Sequence, residues 1–137
     1  VVFHQKPISS PSTLVSCMFM AELRTGLLTA GHDGDAVEFP LMGDVASGGE
    51  SYQRMDGSEG ELKKGDLYIR DQQGILSSVI YGPDYRTRVR PDTSTVLYTT
   101  YGPPGISQQQ VRGQLQLLAS YLKSFASEAA PELLLVV

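Results

Sequence analysis

Arg86, Arg88 and Arg90 stand two residues apart in a short insert, residues 82–92, between two runs rich in Ile, Val, Leu, Tyr and Thr. A guanidinium grips a phosphate or carboxylate through paired N–H donors, and residues two apart on an extended backbone share a face. The spacing therefore predicts a positive stripe for an anionic partner. A second reading fits as well: a solvated edge strand kept from aggregating by its charge. Asp84 and Asp92 flank the stripe and neutralise part of it.

His32 and Asp33 lie in the polar turn GHDGD, residues 31–35, directly after a short apolar run. Strand-end loops are where sites are built, and an imidazole ordinarily titrates near neutrality. The alternative is a turn histidine that caps a backbone group. Ser77 and Ser78 fall in mid-strand, where small side chains either admit a ligand or simply pack. A serine nucleophile would want a G-x-S-x-G elbow, which the chain lacks. Tyr81, Tyr85, Tyr98 and Tyr101 can stack on a base or ligand ring, and tyrosine is equally ordinary sheet material. Cys17 sits on the apolar side of a predicted helix and reads as inert core. His4 is the only other histidine; no HxH, HxxxH or CxxC spacing occurs, so no metal site is expected. Neither G-x-G-x-x-G nor a P-loop is present, and no cofactor is expected.

These residues need elements to hold them. Ser10-Pro11 reads as a helix entry, with a helix over 12–23 carrying Leu14, Val15, Met18, Phe19 and Leu23 on one face and Gly26 ending it. Residues 27–30 read as a short buried strand, 37–45 as a ragged one and 51–55 as another, followed by an Asp56-Gly57 tight turn. Residues 59–66 read as a polar surface turn. Strands follow over 67–71, 75–81 and 95–101. Ser107 caps a second helix running to about residue 126, with Val111, Leu115, Leu118, Leu122 and Phe125 inward and Gln and Lys opposite. Residues 1–10 read as a strand or arm, and 133–137 as an edge strand or a segment docked on the core. The order helix, strands, helix predicts an α+β domain with largely antiparallel pairing.

The 137 residues suit a single domain able to bury a core without disulfides. A hydrophobic content of 41% and a charged content of 19% are ordinary for globular chains. Net charge of -4 argues against bulk electrostatic coating of nucleic acid, so any RNA contact would be local. One cysteine excludes an internal disulfide and suits a reducing, cytoplasmic setting. No apolar run is long enough to span a bilayer. The chain opens on Val1 rather than Met, which suggests that sequence upstream of a domain over 1–137 has been removed.

Read in order, GHDGD, GGESYQRMDGSEGELKKGDLYIRDQQGILSSVIYG and RVRPDTSTVLY resemble the B3/4 domain. That is the aminoacyl-tRNA editing domain of the phenylalanyl-tRNA synthetase beta subunit, which also occurs in free-standing proteins. The insert YGPDYRTRVRPDTSTVLYTTYGPPGI looks more like the free-standing branch. The resemblance covers roughly residues 11–101 and implies the α+β fold shared by that subunit and a lysidine synthetase domain. In the synthetase the domain hydrolyses tyrosine misattached to the phenylalanine tRNA. The resemblance implies a pocket histidine at His32 beside Asp33, a ligand-lining segment at Ser77-Ser78, where the family has glycines, and Thr99 where it has a glutamate. Both departures argue against tyrosine-specific editing. The resemblance also implies that a missing N-terminal layer would be covered by a partner or a second copy.

Two functions follow as expectations. In the first, a free-standing domain binds tRNA or an aminoacyl-tRNA and hydrolyses a mischarged ester in trans. His32 would orient the ester or water, backbone N–H groups near Ser77-Ser78 would hold the oxyanion, Tyr81 would line the pocket, and the arginines would hold phosphate. In the second, the domain is a non-catalytic binding module for a small amino-acid-like ligand or a protein partner.

Overall fold

Ser12 begins the first helix by turning its hydroxyl onto the N–H of Val15, a cap worth about 1 kcal/mol. In the computed structural model, which describes residues 12–129 and 131, helix α1 runs Thr13–Thr25. The expected entry at Ser10-Pro11 is thus corrected by one to two residues, and Ser10 itself lies outside the described residues, as do 1–11 and 132–137. Gly26 stops the helix at φ +76°, a left-handed conformation that suits glycine.

Strand β1 (Thr29–Asp33) follows, then a single 3-10 turn (Gly34–Ala36). Only Met42–Val45 of the ragged run pairs, as β2, because the stretch before it carries Pro40, which has no N–H to donate. Strands β3 (Ser51–Gln53) and β4 (Glu59–Glu61) form a hairpin around Gly57, at φ +84°. Residues 59–66 are therefore not just a polar surface turn. Their alternation leaves Gly60 and Leu62 inside, and Leu62 is 1% exposed. Strands β5 (Leu67–Arg70), β6 (Ile75–Ser78) and β7 (Gly82–Pro83) come next. The middle run stops at Ser78, since the chain turns through residues 80–81 and Gly82 takes φ +74°. Strand β8 (Val96–Thr100) and helix α2 (Gln108–Phe125) complete the described chain.

All the strand pairings are antiparallel: β1 with β8, the order β2-β5-β6-β7, and β3 with β4. The α+β class expected from the sequence is observed. Two cores result. One packs Cys17, Met18 and Ala21 of α1 against Leu118 of α2, with Tyr98 of β8 alongside; the other gathers Ala46, Tyr52, Leu62 and Tyr68. Within α1 the inward face is shifted from the expected one: Cys17 and Ala21 are buried and Leu23 is 63% exposed. Burial raises the Cys17 thiol pKa, which fits an inert core residue.

Helix α2 opens on a reciprocal capping box between Ser107 and Gln110. Its inner face holds a correction. Gln114, expected among the solvent-facing glutamines, is fully buried. Its amide accepts from the Thr25 hydroxyl and donates to the Leu27 carbonyl (3.3 Å) and the Thr29 hydroxyl (3.0 Å). A buried amide is tolerated because both of its ends are satisfied.

Candidate functional site

Along β1, residues alternate between two faces. A Cβ on Gly31 would meet the Tyr98 ring at 3.3 Å and the Met18 sulfur at 3.6 Å, so odd-numbered residues face α1. Ala30 and His32 therefore face away from it. His32 is fully buried. Its Nδ1 lies 2.8 Å from the Thr87 hydroxyl, whose own proton goes to the Asp84 carboxylate. A hydroxyl has one proton to give, so Nδ1–H must donate to Thr87, leaving Nε2 as a bare acceptor. That Nε2 has no partner, and the Thr99 hydroxyl on the same sheet face is likewise buried and unpaired. Burial, with help from the Arg86 charge, lowers the His32 pKa to about 4. The expectation that this imidazole titrates near neutrality is corrected: the ring is neutral across the physiological range.

The insert does not form an extended stripe. Asp84 accepts the Thr87 N–H at 3.2 Å and folds residues 84–87 into a turn, which sends the three arginines in different directions. Arg86 makes a two-pronged bond to Asp71 (2.9 and 3.0 Å) and donates to the Ala36 carbonyl (2.8 Å). Arg90 donates to Asp33 at 2.9 Å, and Thr93 adds a second bond to the same oxygen at 3.0 Å. Arg88 lies over the Tyr85 ring at 3.7 Å, an exposed cation–π contact, with no carboxylate partner among the described residues.

The carboxylates respond to these surroundings. Burial pushes Asp71 upward, but the N–H groups of Glu38 and Gly74 and the Arg86 guanidinium more than offset it, and its pKa is lowered. Asp33 is likewise lowered on balance, its burial outweighed by Arg90, Thr93 and the Asp35 N–H. For Asp84 burial wins and the pKa is raised.

A cavity of about 410 Å³ opens on the other part of β1. Val15, Met18, Phe19 and Glu22 of α1 form one wall; Thr29, Ala30 and Gly31 form another, facing Ser78, Val79, Gly82, Pro83 and Val89. It exists because β1 has no strand partner on this side except the single bridge at His32 and Arg88. Upstream of that bridge no strand pairs with this edge of β1.

Of the residues singled out in the sequence for a site, Ser78, Tyr98 and Tyr101 line this cavity. The Ser78 hydroxyl is already engaged with Tyr52 (3.0 Å) and the Tyr81 N–H (3.0 Å). Ser77 is buried against the Tyr101 hydroxyl at 2.8 Å. Tyr81 packs on the second core beneath Arg54, whose guanidinium is 5.1 Å from the ring. His32, Asp33, Thr99 and the arginines do not line it. Glu22 and Gly31 were missed. The signal for Glu22 was present: at 15, 18, 19 and 22 it continues an apolar helical stripe with a carboxylate.

Among the described residues, two helices and three small antiparallel sheets, with a mostly apolar cavity at the open edge of one strand, define an α+β class. No family model matches the chain, and no curated protein is similar to it. Among solved structures, it is similar to an N-terminal fragment of the phenylalanyl-tRNA synthetase beta subunit from Pyrococcus horikoshii. The TM-score is 0.71 at 18% identity, over 86% of this chain and 41% of that one. The likeness shows a shared fold and spans less than half of the synthetase fragment. Among the described residues no helix is long and apolar enough to cross a membrane, and no three His, Cys, Asp or Glu residues cluster as metal ligands would.

Proposed function

We propose that this chain is a B3/4-like binding domain that holds a small amino-acid-like group, free or carried on a tRNA end, in the cavity beneath α1. The observation that carries the reading is the cavity itself, which is apolar over most of its wall with few convergent polar groups, as ligand sites are. The shared fold with a synthetase beta-subunit fragment supports an aminoacyl ligand over an arbitrary apolar one.

Hydrolysis of a mischarged ester in trans ranks second. It would need His32 to touch the ligand, and that ring is fully buried, neutral and outside the cavity lining. The experiment is a binding titration with amino-acid amides and aminoacyl-tRNAs on the native chain and on Val89→Trp, which fills the cavity from the insert side. Binding to the native chain and its loss in Val89→Trp are expected, with no deacylation of a mischarged-tRNA panel. Binding that survives Val89→Trp would move the site elsewhere, and turnover abolished by His32→Ala would restore the catalytic reading.

A further inference from the structure

Most polar groups around the cavity are committed to the protein. The Ser78 hydroxyl serves Tyr52 and Tyr81, the Tyr101 hydroxyl serves Ser77, and the Tyr98 hydroxyl donates to the Leu14 carbonyl at 2.9 Å. Thr29 exchanges a bond with Thr100 and receives one from Gln114. Two groups differ.

The first is Glu22, a half-buried carboxylate on the cavity wall. One oxygen accepts the Thr29 N–H at 2.6 Å. The other has no hydrogen bond, and among the described residues no Lys, Arg or His lies within ion-pair distance of it. Burial raises its pKa, only partly countered by the Thr29 N–H, as for a carboxylate lacking a cation. An uncompensated carboxylate beside apolar surface is costly to keep unless a cationic partner arrives.

The second is the Gly31 N–H. Backbone groups of alternate residues in a strand point to the same edge. The Asp33 N–H bonds the Thr87 carbonyl at 2.7 Å and the Thr29 N–H bonds Glu22, both on the edge away from β8. Gly31 lies between them, so its N–H points to that same edge, where Gly31 lines the cavity. A donor thus sits about 7 Å along the strand from the N–H that Glu22 holds.

We propose that Glu22 is the specificity residue of the cavity, selecting ligands with a protonated primary amine next to an apolar body, the adjacent carbonyl accepting from Gly31. The inference rests on the ligand-binding reading above and adds the charge the ligand must carry. An α-ammonium group meets the vacant carboxylate oxygen, its carbonyl meets the strand edge, and its side chain enters the apolar wall between Phe19 and Val89.

The test compares two probes of one shape, phenylalaninamide and 3-phenylpropanamide, which lacks the amine. Both are titrated near pH 6, about two units below the ordinary α-ammonium pKa. Native protein should bind the amine at least about tenfold more tightly, as expected of a charge-assisted hydrogen bond. Glu22→Gln keeps an oxygen for the Thr29 N–H and should bring the ratio to about one by weakening only the amine. Equal affinities in the native chain, or a ratio that survives Glu22→Gln, overturn the proposal while leaving the cavity as a binding site. Failure of both probes to bind the native chain overturns the cavity reading and this inference together. Should Glu22→Gln not fold, the probe pair on the native chain decides alone.

Discussion

Residues 29–31 and residues 32–33 belong to one strand, yet their outer edges meet opposite surroundings. The downstream pair is closed by the insert: His32 bridges Arg88, and Asp33 takes Arg90 and Thr93 on its side chain and donates its N–H to Thr87. The upstream residues meet no strand on that side and border the cavity instead. The half rich in chemically versatile side chains is the half most committed internally, with only the His32 Nε2 left without a partner. Its histidine and two of the three arginines are consumed in holding the insert onto β1 and β5. The cavity proposed to bind a ligand lies where side chains are plain and a strand partner is missing.

The largest expected effect would break the closed half outright. Asp71 is fully buried, accepts three backbone N–H groups and anchors Arg86. Asp71→Ala should cost about 3–5 kcal/mol by urea denaturation, because it strands a guanidinium and three donors. A loss below about 1 kcal/mol would show that the insert is not held from this point.

Next comes acid titration of the same half. The folded state resists protonating His32 down to about pH 4, whereas the unfolded chain takes up that proton near 6.5. The unfolded state thus holds more protons in that window, and stability falls as pH drops through it. The full contribution is roughly 3 kcal/mol, opposed by Asp84 and Glu22, whose raised pKa values favour the folded state on acidification. Replacing His32 with Gln should flatten the stability profile between pH 6.5 and 4. An unchanged slope would assign the acid sensitivity to another group.

The smallest effect concerns Arg88, the arginine of the insert with no carboxylate partner among the described residues. Arg88→Ala should change stability by only about 0.5 kcal/mol, since an exposed cation–π contact is weak. If a tRNA end enters the cavity, the same variant should weaken tRNA binding and lower its salt dependence by about one counterion. Arg86→Ala should instead unfold the insert. Equal behaviour of the two would erase the distinction drawn between them.

Element types were largely legible from the sequence, because the capping serine at 107, Gly26 and the Asp56-Gly57 turn act through local backbone chemistry, although the first cap falls on Ser12 rather than Ser10. Misreadings arose where tertiary pairing decides. The EGE run of β4 looks like surface until the opposite strand, SYQ, pairs with it. Gln114 looks solvated until Thr25, Leu27 and Thr29 converge on its amide. Period-two spacing in the arginines suggests one face, but the bond that the Thr87 N–H donates to the Asp84 carboxylate overrides an extended backbone. The site was least legible, since it depends on a gap between strands, and sequence encodes side chains rather than the spaces between them. Glu22 alone carried a local clue.

The buried amide of Gln114 has a consequence for how the domain comes apart. It joins the C-terminal end of α1, the start of β1 and the middle of α2, and through Thr29 it reaches Thr100 at the end of β8. None of these four segments can separate without exposing another's unpaired polar group, so they open and close as one cooperative unit. The cavity wall formed by α1 and β1 is thereby fixed by a residue that is not itself part of the cavity lining.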